Sequence, residues 1–255
     1  MTLTCEKVCA DIEKARLLID VSVEIEDRAL SVVIGPNGAG KSSLLKILSG
    51  EIPPSSGEVL LNSRNLSTLK LRELASVRSV MTQSSNIVFD FTVKEVILFG
   101  WLNFSAVCWD SFEAVVVSSG ITELLSRKFN SLSGGEQQRV QFARALLQLH
   151  SGGNELTGKY MLLDEPTSSL DIAHSLQQLS LIKQIVAHGV GAVVVLHDLN
   201  LAARFADNVI LMHCGRIARA GPVEHVLSND LLSDVYGTKI IAERHEFLDR
   251  LVIYS

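Results

Sequence analysis

The sequence predicts an α/β fold, a mostly parallel sheet covered on both faces and interrupted by a helical insert. Three observations carry this. Short apolar runs rich in β-branched residues read as buried strands: ALSVVI (Ala29 to Ile34), YMLLDE (Tyr160 to Glu165), AVVVLHD (Ala192 to Asp198) and NVILMHCGRI (Asn208 to Ile217). Helical segments alternate with them, and alternation of this kind builds layered α/β sheets. From Ser84 to about Gly153 the texture changes to helical spacing. We expect one domain over 1–255, with a core of residues 1–83 and 154–255 and a helical subdomain of 84–153.

The elements follow in chain order. The opening third reads as strands. ALSVVI ends at Gly35, a Gly-rich loop follows, and the helix SSLLKILSG is stopped by Gly50. EIPPSSGEVLLN reads as a turn and a strand, and SVRSVMTQ as a strand end at Gln83. In DFTVKEVILFGWL, Thr92 stands where a helix cap belongs, ahead of Val93, Val96, Ile97 and Gly100 at helical spacing. The last insert helix, GEQQRVQFARALLQLH, has an apolar stripe at Val140, Ala143 and Leu147. Gln137, Gln138, Gln141 and Arg144 are expected to face away from it. HSGGNELTGK is a polar loop. LDIAHSLQQLSLIKQIVAHG is a long helix between two strands. The tail from Leu231 to Ser255 reads as a small helix and strand at the edge.

Composition narrows the classes of function. The chain has 255 residues, 47% hydrophobic, and a formal net charge of -5, with no Lys/Arg-rich run. That balance does not favour a nucleic-acid partner. Four scattered cysteines form no C-x-x-C pair and read as free thiols of a reducing compartment. The opening MTLTCEKVCADIEK carries charges where a secretory leader needs an apolar stretch. No run reaches the roughly 18–20 apolar residues of a membrane span. The expectation is a cytosolic chain, with docking on a membrane protein left open.

Four features carry the chemistry. GPNGAGKSS (Gly35, Pro36, Asn37, Gly38, Ala39, Gly40, Lys41, Ser42, Ser43) fits the phosphate loop G-x-x-x-x-G-K-[ST] between a strand and a helix. Its backbone N–H groups wrap phosphates, Lys41 supplies a point charge, Ser42 ligates Mg²⁺ and Ser43 reaches the α-phosphate. YMLLDEP ends an apolar strand in two carboxylates, which strand alternation points in different directions. Asp164 is suited to hold Mg²⁺, and Glu165 to act as general base on the attacking water. His197 ends another strand, and parallel strands bring their carboxyl ends to one ligand edge. Gln83 ends a third, with an amide that reaches Mg²⁺ and senses the insert. ATP and Mg²⁺ are the expected cofactors.

A second phosphate-binding device stands in LSGGEQQ, where Ser133, Gly134, Gly135 and Glu136 open a helix. One nucleotide needs one cradle. The second serves the ATP of another copy, in an isologous dimer with two nucleotides at its interface. SSLD, ending at Asp171, follows the carboxylates and is expected at the opposite site.

In this order these motifs resemble the ATP-binding subunits of ABC transporters over essentially the whole chain. GPNGAGKS is similar to the Walker A loop, Gln83 to the Q-loop, LSGGEQQ to the family signature, MLLDE to Walker B, SSLD to the D-loop and His197 to the H-loop. QSSNIVFDFTVKEVILFG, GGEQQRVQFARALLQL and VVVLHDLNLAARFAD resemble the bacterial haemin-import ATP-binding proteins, and relatives that import ferric siderophores or cobalamin share much of this. The resemblance implies an ATPase that closes as a homodimer on ATP. Its implied partners are two transmembrane permease subunits, at the cytoplasmic face of the bacterial inner membrane, and indirectly a periplasmic substrate-binding protein. Soluble ABC ATPases of repair carry a long coiled-coil insertion and those of translation two cassettes, unlike this chain; an iron–sulfur assembly factor stays open as an alternative. Family members often stack adenine on an aromatic ring ahead of Walker A, whereas the first aromatic here is Phe89. Weaker ATP affinity or poor base selectivity is expected from that departure.

Overall fold

The computed structural model describes residues 1–12, 15–83, 87–102, 107–151 and 155–255. The expected insert boundaries at 84 and 153, and the middle of HSGGNELTGK, lie outside the described residues.

Two sheets organise the chain. A four-stranded antiparallel sheet, in the order β2-β1-β4-β5, is built from β1 (Thr2–Ile12), β2 (Ala15–Glu26), β4 (Ser56–Leu61) and β5 (Arg64–Asn65). A six-stranded sheet has the order β10-β9-β3-β8-β7-β6. Its strands are β3 (Leu30–Ile34), β6 (Arg78–Met81), β7 (Tyr160–Asp164), β8 (Gly191–Val195), β9 (Asn208–His213) and β10 (Arg216–Pro222). β3, β6, β7, β8 and β9 are mutually parallel, while β10 runs antiparallel along the edge beside β9.

Strand alternation sorts the large sheet into two cores. Val32, Ile34, Met161 and Leu163 face a layer of helices. Val33, Tyr160, Leu162 and Val193 face the antiparallel sheet, with α1 (Lys41–Leu48) packed between through Leu44, Leu45, Ile47 and Leu48. Leu44 is fully buried, and truncating such a leucine to alanine costs about 2–5 kcal/mol. The antiparallel sheet is legible only as strands in the opening third. Its pairing is non-local.

The long expected strand Asn208 to Ile217 is instead a hairpin of β9 and β10. Cys214 (φ 48) and Gly215 (φ 75) both take left-handed conformations, the signature of a two-residue hairpin turn. An apolar stretch continuing past a turn looks like one strand when only its hydropathy is read. α8 (Val223–Val226) follows, and the tail holds more than the expected helix and strand: α9 (Asn229–Tyr236), which ends at left-handed Gly237, is succeeded by a hairpin of β11 (Ile241–His245) and β12 (Arg250–Tyr254).

Between β6 and β7 lie α3 (Val93–Leu98), α4 (Trp109–Ser118) and α5 (Gly134–His150), with α2 (Leu71–Val77) just ahead of β6. Thr92 caps α3 and Ser133 caps α5, each in a reciprocal box with a glutamate three residues on. α5 departs from the expected one-sided stripe. Val140, Ala143 and Leu147 are buried, but so is Gln141. Arg144 donates to the Val80 carbonyl (3.1 Å) and Gln148 to those of Ala75 and Arg78 (3.2 and 3.0 Å). The helix is packed on several sides, and its polar residues face main-chain carbonyls instead of water. Close approach is allowed by Gly100, where a Cβ would stand 2.2 Å from the Arg144 carbonyl oxygen.

Candidate active site

Five parallel strands end on one edge of the sheet. β3 delivers Gly35, β6 Gln83, β7 Asp164 and Glu165, β8 His197, and β9 the Cys214–Gly215 turn. Loops at the carboxyl ends of such strands form the ligand crevice of α/β sheets. An open cleft of about 900 Å³ lies there, lined by Leu17, Asn37, Gly38, Gly40, Lys41, Ser42, Ser43, Gln83, Glu165, His197, Cys214 and Gly215.

The phosphate loop needs glycine at defined points. At Gly35 (φ 145) a Cβ would lie 2.2 Å from the Met212 carbonyl oxygen, and at Gly40 (φ 99), the N-cap of α1, 2.9 Å from that of Leu17. Gly35 and Ala39 are buried behind the loop, while Asn37 and Gly38 are exposed at the cleft. Lys41 Nζ donates to the carbonyls of Gly35 (2.8 Å) and Pro36 (2.9 Å), so one N–H remains for a ligand. Burial pushes the Lys41 ammonium below its ordinary pKa, and the Glu165 and Asp164 carboxylates pull it back.

Ser42 Oγ donates to Asp164 Oδ1 at 3.2 Å, and Asp164 is only 4% exposed. Burial raises the Asp164 carboxyl above the ordinary carboxylate range. A hydroxyl and a buried carboxylate facing each other are hard oxygen donors suited to Mg²⁺, which completes its shell with waters and phosphate oxygens. Among the described residues no cluster of three or more His, Cys, Asp or Glu is arranged as a metal site. One hydroxyl and one carboxylate are a donor set that fits Mg²⁺ bound together with a nucleotide.

Glu165 is the meeting point. The strand ends at Asp164, and Glu165 takes φ 49, so a left-handed turn re-aims its side chain where alternation along a strand was expected to do so. Its Oε1 lies 2.6 Å from His197 Nε2, and its Oε2 accepts from Gln83 Nε2 at 2.9 Å. Three strands thus converge on one carboxylate. Gln83 bonds Glu165, not the Ser42–Asp164 pair expected to share its Mg²⁺.

Gln138, expected to face away, makes contacts to the Glu165 turn that sequence reasoning missed. Its Nε2 donates to the Glu165 carbonyl (2.7 Å), and its Oε1 accepts from Ser169 N (2.9 Å). Its position in LSGGEQQ, one turn into the helix, was the available signal.

None of Ser133, Gly134, Gly135 and Glu136 lines the cleft. Ser133 and Gly134 are exposed, and a Cβ on Gly135 would lie 2.8 Å from the Ser169 carbonyl oxygen. Glu136 turns back to Ser133 N (2.8 Å) and pairs with Arg127 (3.1 Å), so it shapes the loop. Asp171 caps α6 (Ile172–Ala187), accepting from His174 N at 2.8 Å.

The sequence profile described as ABC transporter matches residues 18–168. The chain belongs to the ABC transporter ATP-binding family. It is 41% identical over 239 residues to the hemin import ATP-binding protein HmuV of Rhodopseudomonas palustris (strain BisA53), covering 93% of this chain and 88% of that one. Against the HmuV of Ruegeria sp. (strain TM1040) identity is 42% over 247 residues, covering 93% and 91%. Among solved structures, an ATP-binding subunit of an ABC transporter superposes with a TM-score of 0.80 at 21% identity, covering 93% of this chain and 98% of that one. A dimeric bacterial ABC transporter cassette superposes with a TM-score of 0.75 at 25% identity, covering 87% and 98%. As an ABC ATPase, the chain carries the phosphate loop and the signature loop on different faces of one fold. No helix among the described residues is long and apolar enough to cross a membrane.

Proposed function

We propose that this chain is the ATP-hydrolysing subunit of an importer that carries haem across the bacterial inner membrane. The observation that supports hydrolysis best is the Glu165 carboxylate, held at the cleft by His197 on one oxygen and Gln83 on the other. In this reading Glu165 takes the proton of the attacking water and His197 orients it. Lys41 and the amides of Gly35–Ser43 hold the phosphates, and Ser42 and Asp164 hold Mg²⁺. When bound, Mg²⁺ neutralises charge on the phosphate oxygens.

Two copies face each other, so that Ser133–Gly135 of each completes the site of the other, with Asp171 beside it. The exposed signature loop supports this arrangement. Residues 84–153 form the arm that meets the permease. Val88, Phe89, Phe99 and Trp109, large apolar side chains on exposed positions within that segment, supply a surface of that kind. The haem assignment rests on the relatives named hemin import proteins.

Proteoliposomes holding this protein, its membrane partner and the cognate binding protein test the reading, with haem, a ferric siderophore or cobalamin outside and ATP on the cytosolic side. Haem accumulation that vanishes with Glu165→Gln is the expected result. Accumulation of another cargo refutes haem and keeps the motor. A soluble assembly ATPase would turn over ATP without any membrane partner copurifying.

A further inference from the structure

The tail from Asn229 to Tyr254 lies outside every motif above, yet it touches the catalytic edge. Ile253 pairs with Ala242 across the β11–β12 hairpin. Both main-chain polar groups of Ile253 nevertheless point to Asn200. The Ile253 N–H donates to Asn200 Oδ1 (2.8 Å), and its carbonyl accepts from Asn200 Nδ2 (3.0 Å). One side-chain amide therefore pairs with β12 as a neighbouring strand would. Reversing its oxygen and nitrogen would face donor to donor, so the orientation is determined.

Asn200 sits in the first turn of α7 (Leu199–Phe205), three residues after His197. Its own N–H is taken by the capping carboxylate of Asp198 at 2.8 Å. His197 is exposed, at the end of β8, and the turn behind it is short. The hairpin is itself anchored. Ile253 is buried in the main core, Asn229 Oδ1 accepts from Ala242 N (2.6 Å), and Ser233 Oγ bonds both main-chain groups of Ile240 (3.0 and 3.2 Å).

We propose that this tail braces the catalytic turn, and that Asn200, gripped by Ile253, is a positioning residue that holds His197 on Glu165. The inference rests on the ATPase reading. The 2.6 Å contact between His197 and Glu165 needs its imidazole placed within a few tenths of an ångström, and a displacement near 1 Å costs up to about 10²-fold in rate. A brace formed by two bonds to β12, which is anchored in the core by Ile253, supplies that placement without touching nucleotide.

The test compares the full chain with Asn200→Ala, Asn200→Asp and Phe247→Ala. Phe247 is 92% exposed at the hairpin tip and serves as control. Turnover, ATP affinity and amide hydrogen exchange are measured on each. Asn200→Ala is expected to lower kcat roughly tenfold with ATP affinity within about twofold of the unaltered chain. Amides of Leu199–Phe205 should exchange faster while those of Lys41–Leu48 stay protected. Asn200→Asp keeps the acceptor for Ile253 N–H, loses the donor, and should fall between; it also carries the test if alanine prevents folding. An unchanged kcat in Asn200→Ala overturns the brace. So does a loss of kcat and affinity together with exposure of Lys41–Leu48, because that is general unfolding. Absence of turnover in the unaltered chain refutes the ATPase reading instead, and exchange in α7 still reports on the brace.

Discussion

The side-chain amide of Gln138 donates to the main-chain carbonyl of Glu165 at 2.7 Å. The same side chain accepts from Ser169 N at 2.9 Å. It thereby joins the helix that opens at Gly134 to the turn that carries the Glu165 carboxylate. The left-handed Glu165 backbone is strained, and conformations of this kind persist only where neighbours hold them.

Gln138→Leu removes both bonds while keeping the side chain's bulk. We expect kcat to fall roughly tenfold with little change in ATP affinity, as for loss of an interaction that only orients the reacting group. The measurement is steady-state turnover beside equilibrium nucleotide binding. A variant that loses affinity and keeps kcat contradicts the role.

Asp164 makes a prediction about pH. Burial raises its carboxyl above the ordinary range, the Ser42 hydroxyl opposes this, and Glu165 adds to it. A carboxyl whose pKa is higher folded than unfolded stabilises the fold fully while protonated, below the ordinary carboxylate range. That contribution is lost as pH rises through the raised value. At neutral pH the ionised Asp164 therefore destabilises the chain. Asp164→Asn should melt higher without nucleotide at about pH 7.5, by on the order of 2–4 °C, and the gap should close as pH approaches about 4. With Mg²⁺ and ATP the order should reverse, since only the carboxylate binds the ion well. A variant that melts lower at both pH values would show that burial does not penalise this charge.

Ser133 tests the second cradle. Ser133→Arg fills an exposed helix start that lies off the cleft. ATP binding by the monomer should stay within about twofold, while ATP-dependent dimerisation in a Glu165→Gln background disappears. Sedimentation with and without ATP reads both. Weakened binding in the monomer would return the signature loop to the chain's own nucleotide.

Leu17 lines the cleft beside Cys214, and no aromatic residue precedes Phe89. With no ring there to stack on a base, ATP should bind weakly or ATP and GTP with similar affinity. Leu17→Tyr should tighten ATP by about tenfold, within the ~1–3 kcal/mol of base stacking. Sub-micromolar ATP binding with strong preference over GTP in the unaltered chain would sink the prediction.

The sequence by itself determined the local devices. Gly35–Ser43 can only be a tight loop opening a helix, because its glycines permit backbone that side chains forbid. Thr92 announces its helix through i, i+3 capping chemistry. Carboxylates and a histidine ending apolar strands identify one ligand edge once the sheet is parallel. Each of these signals is carried by neighbours in the chain. The tertiary structure decided what depends on distant partners. The antiparallel sheet follows from pairings such as Leu3 with Leu61. Gln138 and Gln141 look solvent-facing by periodicity, yet α5 is packed on several sides: Gln138 meets the main chain of the turn after β7, and Arg144, held by Gln141, meets that of β6. Asn200 reads as an ordinary helix residue until Ile253 arrives from the far end of the chain. Hydropathy records whether a side chain leaves water, and only the closed fold settles which main-chain groups it must then satisfy.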